Sequence, residues 1–197
     1  MFEELSDFYD ELEEKESARE KLIKLTRDLK LNSTKAIAAT HSEDIQKAQE
    51  HLQQAEEVIG LIVKYKKFPE FYYVITHDSI QEYVEAYLFL KLVTGERSFD
   101  LKSLKAEVPS ILTGLGDLIG ELRRFVLDLL RKGEFERAEE LMNVMEELYS
   151  QLSTFYFPEK MLPGLRNKVD TARILIERTK SDYIVARMAI KINNQED

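Results

Sequence analysis

The chain predicts an all-α fold, a single-domain antiparallel helical bundle of about six or seven helices spanning residues 1–197. Three observations point there. Apolar residues recur with a period of 3.6 through every long segment, and no segment alternates convincingly as a strand. Only seven Gly and four Pro occur among 197 residues, with 44% apolar and 33% charged residues, a globular and helix-rich balance rather than a disordered one. Short connections between the apolar stripes place consecutive helices side by side.

The first helix is expected to start after Ser6 or Asp7 and to run toward Thr40, with Leu22, Leu25 and Leu29 on one face and a break near Asn32-Ser33. Ser42 is placed to cap a second helix whose seam is Ile45, Ala48, Leu52, Ala55, Ile59 and Ile62. Phe68-Pro69 ends or kinks it, and Phe71, Tyr72 and Tyr73 read as an aromatic connector. Asp78 with Gln81 resembles a capping box opening a third helix, which Gly95 stops. A charged loop leads to Pro109 at the first position of a fourth helix, striped by Ile111, Leu115, Leu118, Leu122, Phe125 and Leu129 and ended at Gly133. Phe135 to about Leu152 forms a fifth helix, Phe155-Tyr156-Phe157-Pro158 an aromatic turn, and Pro163 opens a last helix reaching about Ile190. No linker divides the chain into domains.

Composition removes several function classes. Zero Cys excludes disulfides, zinc ribbons and thiol nucleophiles, and fits a reducing cytosol. No apolar run approaches the ~20 residues of a membrane span, and the N-terminus is acidic where a signal peptide would be basic. The expectation is a cytoplasmic protein without a membrane partner. A net charge of −9 argues against nucleic acid, but residues 1–20 hold nine acids against Lys15 and Arg19, so seven of those nine charges fall there. The near-neutral remainder is free to gather its basic residues on one wall.

Two acidic pairs sit in otherwise apolar helix: Glu82 and Glu85 in the third helix, Asp117 and Glu121 in the fourth. Spacings of three and four put each pair on one side of its helix. Around the first pair, Ile80, Val84, Tyr87 and Leu88 form one face while Tyr83, Ala86, Phe89 and Leu92 flank the acids. A helix apolar nearly all round is enclosed. The acids therefore either form buried ion pairs with Arg or Lys of a neighbouring helix, or line a cavity holding a hard divalent ion such as Mg²⁺ or Mn²⁺. Gly114, Gly116 and Gly120 surround the second pair, which suggests close approach of backbone or ligand there, or tight helix packing. A di-iron centre is disfavoured because none of His41, His51 and His77 follows a Glu by three positions; they read as surface or packing residues. Gly114-Leu115-Gly116 has no preceding strand and no Lys-Ser/Thr, so it is no phosphate loop.

The segments Ser79-Ile80-Gln81-Glu82-Tyr83-Val84-Glu85-Ala86 and Leu115-Gly116-Asp117-Leu118-Ile119-Gly120-Glu121-Leu122-Arg123-Arg124 resemble the translin superfamily, most closely its catalytic branch, translin-associated factor X. Arg19-Glu20-Lys21-Leu22-Ile23-Lys24-Leu25-Thr26-Arg27-Asp28 is similar to that family's early basic helix. The resemblance implies about seven helices per protomer, a hollow homo-octamer, and Mg²⁺-dependent endonucleolysis of RNA by acids matching Glu82, Glu85 and Asp117. The long insertion and basic targeting segment of the animal proteins are missing here, which weakens a nuclear assignment.

The leading expectation is a metal-dependent endoribonuclease acting on single-stranded RNA, with single-stranded DNA as a further ligand, enclosed in a homo-oligomeric shell. Glu82, Glu85 and Asp117 would hold Mg²⁺ or Mn²⁺, with Glu121 as a further ligand or base. Arg19, Lys24, Arg27, Lys35, Arg123 and Arg124 are the candidates for phosphate contact, although a solvated face or a salt bridge suits each of them too. The alternatives are a non-catalytic translin-like scaffold whose acids are structural, and a helical interaction module that binds no nucleic acid.

Overall fold

The computed structural model describes residues 5–193, and its side chains up to residue 189. Among the described residues there is no strand; six α-helices follow one another, α1 Leu5–His41, α2 Ile45–Ile62, α3 Pro69–Val93, α4 Val108–Lys132, α5 Phe135–Leu152 and α6 Leu165–Asn193. Short 3₁₀ turns at Val63–Lys67 and Leu101–Leu104 lead into α3 and α4. α3 lies at the centre, packed on α1, α2 and α4; α4 in turn carries α5 and α6. Buried apolar side chains from all six helices join in one cluster, with Phe89 of α3 and Phe125 of α4 among its largest fully enclosed members. No helix among the described residues is long and apolar enough to cross a membrane.

Several boundaries differ from the expectation, each for a local reason. α1 does not break at Asn32-Ser33. The side chains of Asn32, Ser33 and Thr34 turn back onto the carbonyls of Asp28, Leu29 and Lys30, four residues earlier, so these polar residues are satisfied inside the helix. Ser42 does the same to Ala38, and the cap of α2 is Asp44, whose carboxylate accepts from the Lys47 amide; Glu43 takes the left-handed turn between them at φ 56°. α3 begins at Pro69 rather than at Asp78, so Phe71–Tyr73 form its first turns instead of a connector. Pro69 both ends the preceding turn and supplies the fixed φ that suits a helix start. Likewise Pro163 precedes α6, which opens at Leu165 after Gly164.

Gly95 and Gly133 close α3 and α4 as predicted. Both have positive φ, and the two amides following each helix bond back to its last carbonyls, Gly95 to Leu92 and Glu96 to Lys91, Gly133 to Leu130 and Glu134 to Leu129. The enclosure of α3 also holds. Ile80, Tyr83, Val84, Glu85, Ala86, Leu88 and Phe89 are all buried, so its apolar circumference meets neighbours on every side and carries Glu85 inward with it.

Candidate acidic site between α1, α3 and α4

Close helix packing brings the acids together. A Cβ added at Gly114 would stand 2.7 Å from the Gln81 carbonyl oxygen and 3.0 Å from Val84 Cβ, so only glycine lets α4 lie this near α3. One turn further on, Asp117 faces Gln81, whose amide donates to Asp117 Oδ2 at 2.5 Å. Glu82, Glu85 and Glu121 line a cavity of about 520 Å³ whose α1 wall is Thr34, Ala38 and His41. Arg124 and Asp128 stand at the same cavity, while Asp117 faces an adjoining pocket of about 240 Å³ with Lys168.

Three of the four acids have partners. Glu82 accepts from the Thr34 hydroxyl and lies 3.5 Å from Lys30 Nζ. Asp117 Oδ1 is 2.5 Å from Lys168 Nζ. Glu121 meets His41 Nε2 and stands 4.0 Å from Arg124. The His41 hydrogen bond, aided by its charge and that of Arg124, holds the Glu121 carboxyl below the ordinary range against the cost of burial. His41 itself is packed against Phe89 at 4.6 Å between ring centres, which fixes the ring that orients Glu121.

Glu85 is the exception. It is 9% exposed, and among the described residues nothing donates a hydrogen bond to it. Burial, then the negative charges of Asp117, Glu121 and Glu82, push its carboxyl up to about 8, with only Lys168 acting the other way. An oxygen donor set of four carboxylates, one of them buried without counter-charge, fits a hard divalent cation in chemistry and in charge. The side chains are not yet gathered around one point, however: among the described residues no three His, Asp or Glu groups stand close enough together to hold an ion. Coordination therefore requires Glu82 and Asp117 to turn away from Lys30 and Lys168.

Two of the three glycines are explained. Gly114 allows the α3–α4 approach, and Gly116 leaves room for the stem of Lys168, whose Cβ would lie 2.9 Å from an added Cβ. Gly120 borders open space and has no packing role of this kind. Sequence reading missed Lys30, Thr34, His41 and Lys168 as partners of the acids. Only the Gly116 gap hinted at one of them, since a missing side chain marks close passage without naming what passes.

The basic candidates separate into groups. Lys24, Arg27 and Lys35 are exposed on α1. Arg27 shares the side of α1 that carries Lys30, Thr34, Ala38 and His41, and so continues the cavity wall outward. Arg19 is half-buried and pairs with Glu16 at 3.0 Å and Glu20 at 3.3 Å. Arg124 borders the cavity itself. Arg123 is different: its guanidinium donates to Thr179 Oγ1 at 2.6 Å and Asp182 at 2.9 Å, tying α4 to α6. That placement makes Arg123 a clasp between α4 and α6.

This arrangement agrees with a family model. Residues 17–180 match the model described as Translin family. The chain belongs to the translin family. It is 30% identical over 195 residues to the uncharacterized protein MJ0175 of Methanocaldococcus jannaschii, an alignment covering 96% of this chain and 86% of that one. Among solved structures, AfC3PO is 41% identical with a TM-score of 0.90, covering 94% of this chain and 97% of the other. A structure described as an AfC3PO–duplex RNA complex matches equally well, at 41% identity and a TM-score of 0.91 with the same coverage. Apo-NeC3PO is 24% identical with a TM-score of 0.85 over 94% and 98% of the two chains, a likeness of fold.

Proposed function

We propose that this translin-family chain is a metal-dependent endoribonuclease, acting on single-stranded RNA within a homo-oligomeric shell. The observation that carries the reading is Glu85, an acid held inside a helical bundle with three more acids around it and no partner of its own. RNA as ligand is supported by the related AfC3PO, whose structure was solved with duplex RNA.

Glu82, Glu85 and Asp117 would hold Mg²⁺ or Mn²⁺. Such an ion supplies a water acidified for attack on phosphorus and neutralises charge on the leaving oxygen. The chain's own residues do the rest. Gln81 holds Asp117 Oδ2 and sets its plane. His41 keeps the Glu121 carboxylate anionic, so that Glu121 would serve as a further oxygen donor to the ion. Arg27, beyond the cavity wall, would hold the strand's phosphates, with Lys24, Lys35 and Arg124 nearby.

Assembly into an octamer is part of the same proposal. It is supported by apolar side chains left in solvent on the first turns of α1, at Leu5, Phe8, Tyr9 and Leu12, and near the end of α6, at Ile184, Val185 and Met188. Their spacings of three and four form one stripe on each helix, the pattern of a face that meets another chain.

A second reading, a scaffold that binds RNA without cutting it, is favoured by the cations already seated on Glu82, Asp117 and Glu121. Labelled single-stranded and duplex RNA, incubated with purified protein with and without Mg²⁺, separates the two. The nuclease reading predicts Mg²⁺-dependent cleavage of the single strand, lost by on the order of 10²-fold or more in Asp117→Asn and Glu82→Gln. Retention of RNA with no cleavage in any metal would leave the scaffold.

A further inference from the structure

One cation stands on each outer acid of the site: Lys30 on Glu82, Arg124 on Glu121, and Lys168 on Asp117. Glu85, at the middle, has none. Both oxygens of Asp117 are taken, Oδ2 by Gln81 and Oδ1 by Lys168. A divalent ion at Asp117 would have to share Oδ1 with the lysine, and meet its positive charge, while Lys168 stays. Lys168 has open space beside it. Its stem crosses α4 at Gly116, where an added Cβ would come within 2.9 Å of it, and it lines a pocket of about 240 Å³ together with Gly120, where an added Cβ would meet nothing. A lysine is a point charge on a flexible stem with three donors and can trade one oxyanion for another without the planar fit an arginine needs.

We propose that Lys168, with Lys30 and Arg124, is an exchangeable counter-ion of the acidic site. Each cation holds an acid while the site is free of metal, and each turns to a phosphate of the RNA when a divalent ion takes that acid. The exchange rests on the metal-dependent reading above. It makes ion and RNA binding mutually reinforcing: the ion cancels the negative field around Glu85 and at the same moment releases positive groups at the cavity rim. Lys30 and Arg124 already reach solvent, with 58% and 68% of their side chains exposed, whereas Lys168 at 24% is the one whose release requires the ion.

The test compares wild type with Lys168→Met. Affinity for a fluorescent single-stranded RNA is measured across a KCl series, once in EDTA and once in saturating Ca²⁺, a hard oxygen-seeking stand-in for Mg²⁺. Calorimetry without RNA first records whether Ca²⁺ binds. The exchange predicts equal salt slopes for the two proteins in EDTA. In Ca²⁺ the wild-type slope is steeper, and Lys168→Met lacks about 0.7 of it, the contribution of one phosphate contact on a single strand. Equal loss of slope in both conditions would make Lys168 a permanent phosphate contact and overturn the exchange. No difference in either condition would make it purely structural and overturn the exchange as well. If wild type shows no Ca²⁺ heat or retains no RNA, the metal-dependent reading itself fails and the exchange falls with it. Lys168→Gln, measured in the same way, answers the question if Lys168→Met fails to fold by circular dichroism.

Discussion

Glu43 and Glu85 are both glutamates at places where helices meet, yet their surroundings are opposite. Glu43 sits in the turn between α1 and α2, gripped by Lys132 and, at 3.3 Å, by Arg137. The hydrogen bond from Lys132, followed by that from Arg137, draws its carboxyl below the ordinary range despite partial burial. Arg137 also caps the Val93 carbonyl at the end of α3, so the cluster ties the α1–α2 turn to α3, α4 and α5. Glu85 has the same chemistry but, among the described residues, no hydrogen-bonding partner; its carboxyl is pushed up to about 8. A fold that satisfies one acid so fully and leaves another bare is using them differently. The first fastens helices, and the second is the acid for which a divalent cation is proposed.

The largest effect expected from this contrast is on the pH dependence of stability in metal-free protein. Because the folded pKa of Glu85 is raised, the folded state binds the extra proton between pH 4.5 and about 8. Stability from this group is therefore lost as pH rises through that window, on the order of 5 kcal/mol in all. Glu85→Gln removes the loss, so denaturant unfolding should show the variant gaining on wild type as pH goes from 5 to 8.5. A constant difference across that range would mean that Glu85 is compensated in the fold.

Packing gives the next largest effect. Gly114→Ala forces a methyl toward the Gln81 carbonyl oxygen at 2.7 Å, and overpacking of this kind costs about 1–3 kcal/mol. The displaced α4 also carries Asp117 away from Gln81, so divalent-ion affinity measured by calorimetry should fall along with the melting temperature. Glu43→Gln is the smallest change and the mirror image of the first. Its folded pKa is lowered, so its contribution is present above the unfolded value near 4.5 and disappears as pH falls through the lower folded value. For a group about one-third exposed the gain is about 1 kcal/mol or less. Unfolding measured at pH 7 and at pH 3 should show the variant weaker than wild type at pH 7 only.

Much of this contrast was legible in the sequence, and the rest was hidden for physical reasons. Helical periodicity placed Glu82 and Glu85 on an enclosed helix because the apolar positions of α3 leave no wet face large enough for Glu85. Gly95 and Gly133 were readable as stops because each supplies the positive φ that ends a helix. Polar residues with alternative uses misled. Asn32, Ser33 and Ser42 read as breaks or caps, yet each is satisfied within α1 by a carbonyl four residues back. The aromatic run Phe71–Tyr73 has no clean period and so read as a connector, although Tyr72 is buried in α3 and its neighbours are partly covered. Long-range partners were beyond reach: a wheel shows which way Asp117 points, but not that Lys168, 51 residues later, crosses a glycine to meet it.

The most direct test is thermal unfolding at pH 8.5 against rising MgCl₂, for wild type and Glu85→Gln side by side. At a hundredfold excess of Mg²⁺ over its dissociation constant, wild type should gain about 2.7 kcal/mol, a rise of about 2–4 °C for each kcal/mol in a chain of this size. Glu85→Gln should gain little or nothing. Equal shifts in both proteins, or none in wild type, would contradict a divalent ion as the missing partner of Glu85.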